Sequence, residues 1–389
     1  MLKLYVAGVR NVKGILKLAY RLLVNDRAKF TALLVGITFA VFLMIMMTSM
    51  FSGVLNRSSA TVINIGARIW VMDPAVQTVA NTIGMPDYML DAVRSIKGVK
   101  YAVPLFSGGA LVKLEDGTYQ SVNVIGLDDT SLFGRPPMEQ GQIEDIYAEN
   151  SFIVVHDADF AKLENPHIGT TFDLNDHRGV VVGVAKVPAS SLFGIPTLYT
   201  TYNRAIQYIP NPRFTISYIL VEPKTEADIP EIQREVQKLG YLALTKEQFE
   251  DRISDFYKYQ TGIGINLMLM TLISFIVGLS ISGQTFYTFI LENLDKFGAL
   301  KAIGAKSREL VFMILFQASF TALTGYGLGA GLCTLTITLA KMRLADYAAR
   351  IIFANLEIAL VMVIVIAAVS CYVGVRKVIR IEPFDIFRG

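Results

Sequence analysis

The chain has 389 residues, is 53% hydrophobic and carries a net charge of +3, with a mean hydropathy of +0.46. That balance excludes an ordinary soluble protein. Residues 53–258 hold 18 Lys/Arg against 25 Asp/Glu, net −7, so the rest of the chain carries +10. An acidic block thus sits in a basic, apolar frame, where basic charge sets membrane orientation and does not mark a nucleic-acid surface.

Taken in order, residues 1–30 read as a cytoplasmic amphipathic helix. Arg10, Lys13, Lys17 and Arg21 recur on one face, and Val9, Val12, Leu16, Ala19 and Leu23 on another, suited to an anionic lipid surface. The length and even basicity of the segment exclude a signal peptide. Thr31 to Phe51 is free of charge and long enough to cross a hydrocarbon core of about 30 Å. The predicted spans are 31–52, 263–290, 310–339 and 356–375, separated by an extracytoplasmic domain at 53–258 and a loop at 291–309, with a tail at 376–389. None of the spans has a charged residue in its interior, and Glu357 falls at an outer end. Lys and Arg cluster in the N-terminal segment, the 291–309 loop and the tail, which places these on the cytoplasmic side.

The acidic block reads as mixed α/β. Strand 67–72, a helix opening at Pro86 and running to Lys97, and strands 99–114 and 119–126 around Asp116-Gly117 form its start. Strand 216–222, a helix 229–239 opening at Pro230, and strand 241–245 repeat the order near its end, like two halves of a split βαβ sandwich. Residues 130–212, with strands at 169–174 and 179–187, form a second lobe. Segments 53–66 and 250–262 are the stalks that join the block to the spans. Cys333 and Cys371 both fall in apolar stretches, so no disulfide staples the block; roughly 200 residues suffice for its own core. The third span carries Gly325, Gly327, Gly329 and Gly331, two overlapping GxxxG spacings that allow close helix packing.

The loop between the second and third spans reads ENLDKFGALKAIGAKSREL over 292–310. Asn293 to Ile303 has helical spacing, with Phe297, Leu300 and Ile303 on one apolar face. Gly304 suits the left-handed position after its end, and Ser307 the cap of the next helix, with Glu309 in its first turn. The run from Lys296 to Arg308 resembles the signature loop of FtsX/MacB-type (type VII) ABC transporter permeases. There a polar or acidic pair precedes Gly-x-Leu-Lys-Ala-Leu/Ile-Gly-Ala and a basic residue follows. Gly298, Leu300, Lys301, Ala302, Ile303, Gly304, Ala305 and Arg308 match, whereas Lys296-Phe297 stand where the family more often has Glu-Ile or Glu-Tyr. The layout of one span, a large domain and three spans is similar too, as is the tail in which Arg376, Lys377 and Arg380 lead to Pro383. Leu33–Met44 resembles the DevC-like branch of that family.

The resemblance implies an α-helical membrane protein with four transmembrane helices and a large mixed α/β extracytoplasmic domain between the first two. It implies a permease subunit of an ABC exporter in a bacterial inner (plasma) membrane, both termini cytoplasmic, working as a homodimer. A separate ATPase subunit would bind ATP-Mg and dock on the coupling helix through Phe297, Gly298, Leu300, Lys301, Ile303, Gly304 and Arg308. A periplasmic membrane-fusion adaptor and an outer-membrane channel would complete a tripartite efflux system for lipid, glycolipid, peptide or drug. The alternative within the family is mechanotransmission to cell-wall hydrolases. A sensor or receptor would need a cytoplasmic output domain, and the predicted cytoplasmic pieces are too short for one.

The chain's own chemistry is sparse. Gly298 to Ser307 fails as a phosphate loop, because five residues separate the glycines and Ala305 intervenes before Lys306. His156, His167 and His177 lie among Asp157, Asp159, Asp173 and Asp176 without a metal-ligand spacing. No catalytic residue, metal site or resident cofactor is expected.

Overall fold

The computed structural model describes residues 2–189, 191–192, 194–209, 216–344 and 347–379, without side chains for 2–13 and Val373. Arg10, Lys13, Val9 and Val12, and the tail from Arg380 through Pro383 and Arg388, therefore fall outside the described side chains or residues. The chain divides into two compact units: one is 1–52, 266–340 and 349–389, the other 53–265 with 341–348.

The first unit is helical. Among the described residues, four helices are long and apolar enough to cross a membrane: α2 (Arg27–Ser58), α8 (Gly262–Glu292), α10 (Ser307–Arg343) and α11 (Phe353–Ile379). They are preceded by α1 (Leu2–Asn25), and α9 (Leu294–Ala302) links α8 to α10. All backbone groups of a span must be satisfied within the helix, because hydrocarbon offers no partner. Side-chain hydroxyls follow the same rule. Thr271, Ser274, Thr285, Thr324, Thr334 and Thr338 each donate to the carbonyl four residues back, at 2.7–2.9 Å. Gln317 and Asn355 instead reach between helices. Gln317 is fully buried on α10 and donates to the Ala19 carbonyl of α1 at 2.9 Å. Asn355 donates to Ser49 Oγ at 3.3 Å and accepts from Ser52 Oγ at 3.0 Å, joining α11 to α2. On α1, Ala19 and Leu23 have no exposed surface, while Lys17 and Arg21 are exposed.

The second unit is mixed α/β. Its elements in order are α3 (Ala60–Ile65), β1 (Ile69–Met72), α4 (Tyr88–Arg94), β2 (Val99–Lys113), β3 (Tyr119–Leu127), β4 (Met138–Gln140), β5 (Ser151–Val155), β6 (Thr171–Leu174), β7 (His177–Ala185), β8 (Thr197–Thr201), α5 (Tyr202–Tyr208), β9 (Tyr218–Pro223), α6 (Ile229–Lys238), β10 (Leu242–Thr245) and α7 (Lys246–Asp255). The strands run β10-β1-β9-β2-β3-β8-β5-β7-β4, with β6 against β2 and β7. The long strand β2 explains the two lobes. Its first half, to Leu105, pairs with β9, and its second half, from Phe106, pairs with β3.

The first lobe contains the two βαβ units, β1-α4-β2 and β9-α6-β10. Strand β1 is buried on both faces. Ile69 and Val71 pack under α4 and α6, while Trp70 and Met72 face a second core with Phe249 and Ile253 of α7. The β2–β3 hairpin turns at Gly117, whose φ of 83° suits glycine, and Asp116 Oδ1 accepts from the Thr118 amide at 2.8 Å. The second lobe has a mixed sheet, parallel at β3–β8 and β5–β7, covered by α5. There Arg204 NH1 donates to the carbonyls of Ile146 and Ser151 at 2.9 and 2.8 Å, and NH2 to that of Ala148 at 2.7 Å.

Helix α7 begins in a capping box, Thr245 Oγ1 accepting from the Gln248 amide while Gln248 accepts from the Thr245 amide. It runs into a π-helical turn, Phe256–Gln260, and Thr261 then goes extended before α8 starts. A Cβ on Gly264 would collide with the carbonyl oxygens of Tyr257 and Lys258, so the wide turn is possible because residue 264 has no side chain. Alpha-helical ladders interrupted by a single π turn recur at functional positions.

Candidate functional site

The short helix α9 is built by its two ends. At the start, Asn293 Nδ2 donates back to the Phe289 carbonyl at 2.8 Å, and Lys296 Nζ donates to Asn293 Oδ1 at 2.8 Å. At the finish, Gly304 has φ 107°. Its amide bonds the Lys301 carbonyl at 3.1 Å and that of Ala305 bonds the Leu300 carbonyl at 3.0 Å, the pair of bonds that closes a helix with a left-handed residue. The next helix starts at Ser307 itself, so its cap is Lys306, not Ser307. Glu309 Oε2 accepts from the Lys306 amide at 2.9 Å, which satisfies one of the free N–H groups at that end.

The spacing sets Phe297, Leu300 and Ile303 on one apolar face, and the structure divides them. Phe297 has no exposed surface; it is packed with Leu23, Phe286, Phe289, Leu310 and Met313. Gly298 is buried too, and Leu300 is partly buried against the same core. Lys301 is committed as well, donating to the Ile379 carbonyl at the end of α11 at 3.2 Å. Only Ile303 of the apolar trio stands out, at 85% exposure, with Ala302, Gly304, Lys306 and Arg308 exposed around it. A helix joining two spans turns its largest apolar face toward those spans, because burying a Phe side chain is worth about 2 kcal/mol. The inward side chains therefore fix α9 to the bundle, and what it presents outward is one isoleucine ringed by small and basic residues.

The four glycines of α10 also divide. A Cβ on Gly325 would meet Ile37 Cγ2 at 2.6 Å, and one on Gly329 the Thr38 carbonyl at 2.7 Å, so these two admit α2 to close contact. Gly327 and Gly331 have open space on that side and face away from the described helices. Gln317 and Asn355 were outside any sequence motif; a lone amide in an apolar run was the signal available for each.

The histidines do not converge. His156 Nδ1 lies 2.6 Å from Glu139 Oε2, His167 meets Thr170, and His177 stacks on Tyr208 at 4.7 Å. Among the described residues no three or more His, Cys, Asp or Glu could hold a metal ion.

Comparison with known proteins matches residues 31–239 to the MacB-like periplasmic core domain and 267–383 to the FtsX-like permease C-terminal domain. An uncharacterized ABC transporter permease of Mycobacterium tuberculosis is 24% identical, over 92% of this chain and 93% of that one. A putative hemin transport system permease protein of Staphylococcus haemolyticus is 20% identical, over 39% of this chain and 41% of its own. Among solved structures, the periplasmic region of MacB from Actinobacillus actinomycetemcomitans is 16% identical, covering 52% of this chain and 96% of that one at a TM-score of 0.37. Four apolar helices, a mixed α/β domain between the first two and family matches that together span most of the sequence lead to one conclusion: the chain is a multi-pass membrane protein that belongs to the MacB/FtsX family of ABC transporter permeases.

Proposed function

We propose that this permease works as a transmission in an exporter: a separate ATPase subunit, which binds ATP-Mg, moves α9, the spans move with it, and the inserted domain drives cargo on the outer side of a bacterial inner membrane. The observation that carries the reading is α9 itself. It is anchored inward by Phe297 and Lys301 and offers Ile303, almost wholly exposed, to a partner. A single large apolar knob set among Lys306, Arg308 and small residues suits a pocket on a soluble subunit, where one buried anchor can dominate an interface. The absence of charge inside the spans supports the lever over a polar path between them, since a path for polar cargo would need ionisable groups at that depth.

A homodimer fits the same reading, with the open Gly327/Gly331 side of α10 as the face for a second copy. A periplasmic adaptor and an outer-membrane channel would receive cargo in a tripartite exporter; mechanotransmission to cell-wall hydrolases would use the same lever without cargo. Tagged chain carrying Ile303→Arg, pulled from native membranes, should lose its P-loop ATPase subunit in mass spectrometry while membrane insertion stays normal. Undiminished recovery of the ATPase would refute docking at Ile303.

A further inference from the structure

Within the inserted domain lies a cavity of about 540 Å³, in the size range of small-molecule sites. Its floor is the β2–β3–β8 face, where Gly109 pairs with Asn123, Asn123 with Thr197, and Leu111 with Ser121. Gly109 leaves that floor open, for a Cβ built there would meet nothing within 4 Å. The walls come from the stalks: Thr61 and Asn64 of α3 on one side, and Tyr257 of the π turn on another.

The lining chemistry is specific. Arg57 and Asp157 are its charged side chains, and both already interact with other protein groups. The remaining polar groups are hydroxyls and carboxamides, set among valines, leucines and alanines. Tyr199 and Tyr257 line this cavity and are otherwise almost fully buried. A phenol at a cavity wall has an apolar ring to pack with its neighbours and an O–H that can donate to an occupant. Burial pushes the Tyr199 phenol, with Asp157 nearby, well above its usual range, so it stays neutral and can donate. A charged ligand would find no free counter-charge here.

We infer that this cavity binds an uncharged amphiphile, with hydroxyl or amide groups toward Tyr199, Tyr257 and Asn123 and an apolar part along Val79, Val155 and Val187. Such an occupant touches both stretches of chain that lead from the domain into the spans. Binding is a property of the domain and does not depend on docking at Ile303, so the two ideas fail separately.

Trp70, the one tryptophan of the chain, shares a core with Val79, Tyr199 and Tyr257 and reports on the site. Full-length protein in lipid nanodiscs is titrated with hexyl β-glucoside while indole emission is followed, with hexyl sulfate as the charged counterpart. Equilibrium dialysis of radiolabelled glucoside covers binding that leaves the indole unmoved. Gly109→Leu fills the open floor without backbone strain, and Tyr199→Phe removes one donor; circular dichroism checks that both fold. Expected is saturable glucoside binding, at least tenfold weaker in Gly109→Leu, about three- to tenfold weaker in Tyr199→Phe, and at least tenfold weaker for hexyl sulfate. The same head group on a diacylglycerol in the nanodisc tells a membrane-borne ligand from a soluble one. Equal glucoside uptake by wild type and Gly109→Leu, or equal affinity for sulfate and glucoside, overturns the inference.

Discussion

The spans and the inserted domain satisfy their polar groups in opposite ways. In α8 and α10 threonine hydroxyls bond within their own helix, as Thr271 does to Leu267 and Thr334 to Ala330. In the domain, side chains also bridge distant parts of the chain: the Thr200 hydroxyl reaches Ser151, that of Ser217 reaches Ser107, and the Asn64 amide reaches Ala189. Between helices the described side-chain bonds are sparse, Gln317 to Ala19, Tyr326 to Leu356 and Asn355 with Ser49 and Ser52 among them, so shape does most to hold the spans in register. A sheet knitted by long-range bonds moves as one body or unfolds. The difference suits a bundle that rearranges while the domain it carries stays intact.

The largest test of that contrast is Arg204→Ala. It strips one guanidinium from three carbonyls and from Ser151 and Thr200 hydroxyls, leaving them short of partners. A loss of about 3 kcal/mol is expected, read as an earlier loss of Trp70 emission in urea. An unchanged midpoint would mean that the domain does not rest on its long-range bonds. Next comes shape in the bundle. Gly329→Leu should cost about 2 kcal/mol by overpacking against Thr38 and Val41, whereas Gly331→Leu, with open space at its Cβ, should stay within about 0.5 kcal/mol. Thermal inactivation in detergent compares the two, and equal effects would deny α10 its assigned inner face.

The smallest effect concerns a local bond set inside the domain. Burial works against ionisation of Asp128, but hydrogen bonds from Thr130 and Ser131 outweigh it and hold the carboxyl below its usual range. A depressed folded pKa contributes stability above the unfolded value, near 4, and that contribution fades as pH falls through the folded value. Asp128→Asn should therefore cost about 1 kcal/mol at neutral pH and nothing further in strong acid, where its unfolding curve meets that of wild type. A constant gap across pH would remove the carboxylate from the account.

The four spans and the split βαβ lobe are legible in the sequence because each has a pattern with one physical meaning: a charge-free run, or a helix between short apolar strands. Strands β5 and β8 escape such reading. SFIVV and TLYTT are nearly buried throughout, so no alternation marks them. Helix α7 is hidden among charged residues, although Thr245 and Gln248 announce its start. For α9, spacing identifies an apolar face but cannot say whether that face looks toward the spans or away. Phe297 shows the answer only when its neighbours are in place. The cavity is invisible in sequence because its walls come from segments far apart, Gly109 beside Asn123 and Asn64 beside Ala189.

The π turn after α7 makes the two legs that tie the domain to the spans unlike in stiffness. Helix α2 runs unbroken from Arg27 to Ser58, whereas α8 begins only after the π turn and the extended Thr261. A continuous helix is a shaft: it passes on torsion and axial thrust. A chain with a wide turn and an extended residue is a tether, which carries tension but swivels under torque. Torsion in the first leg would thus pass unbroken as far as Ser58, while torsion in the second would meet the wide turn at residues 256–261. In the transmission proposed above, the first leg would drive and the second would follow.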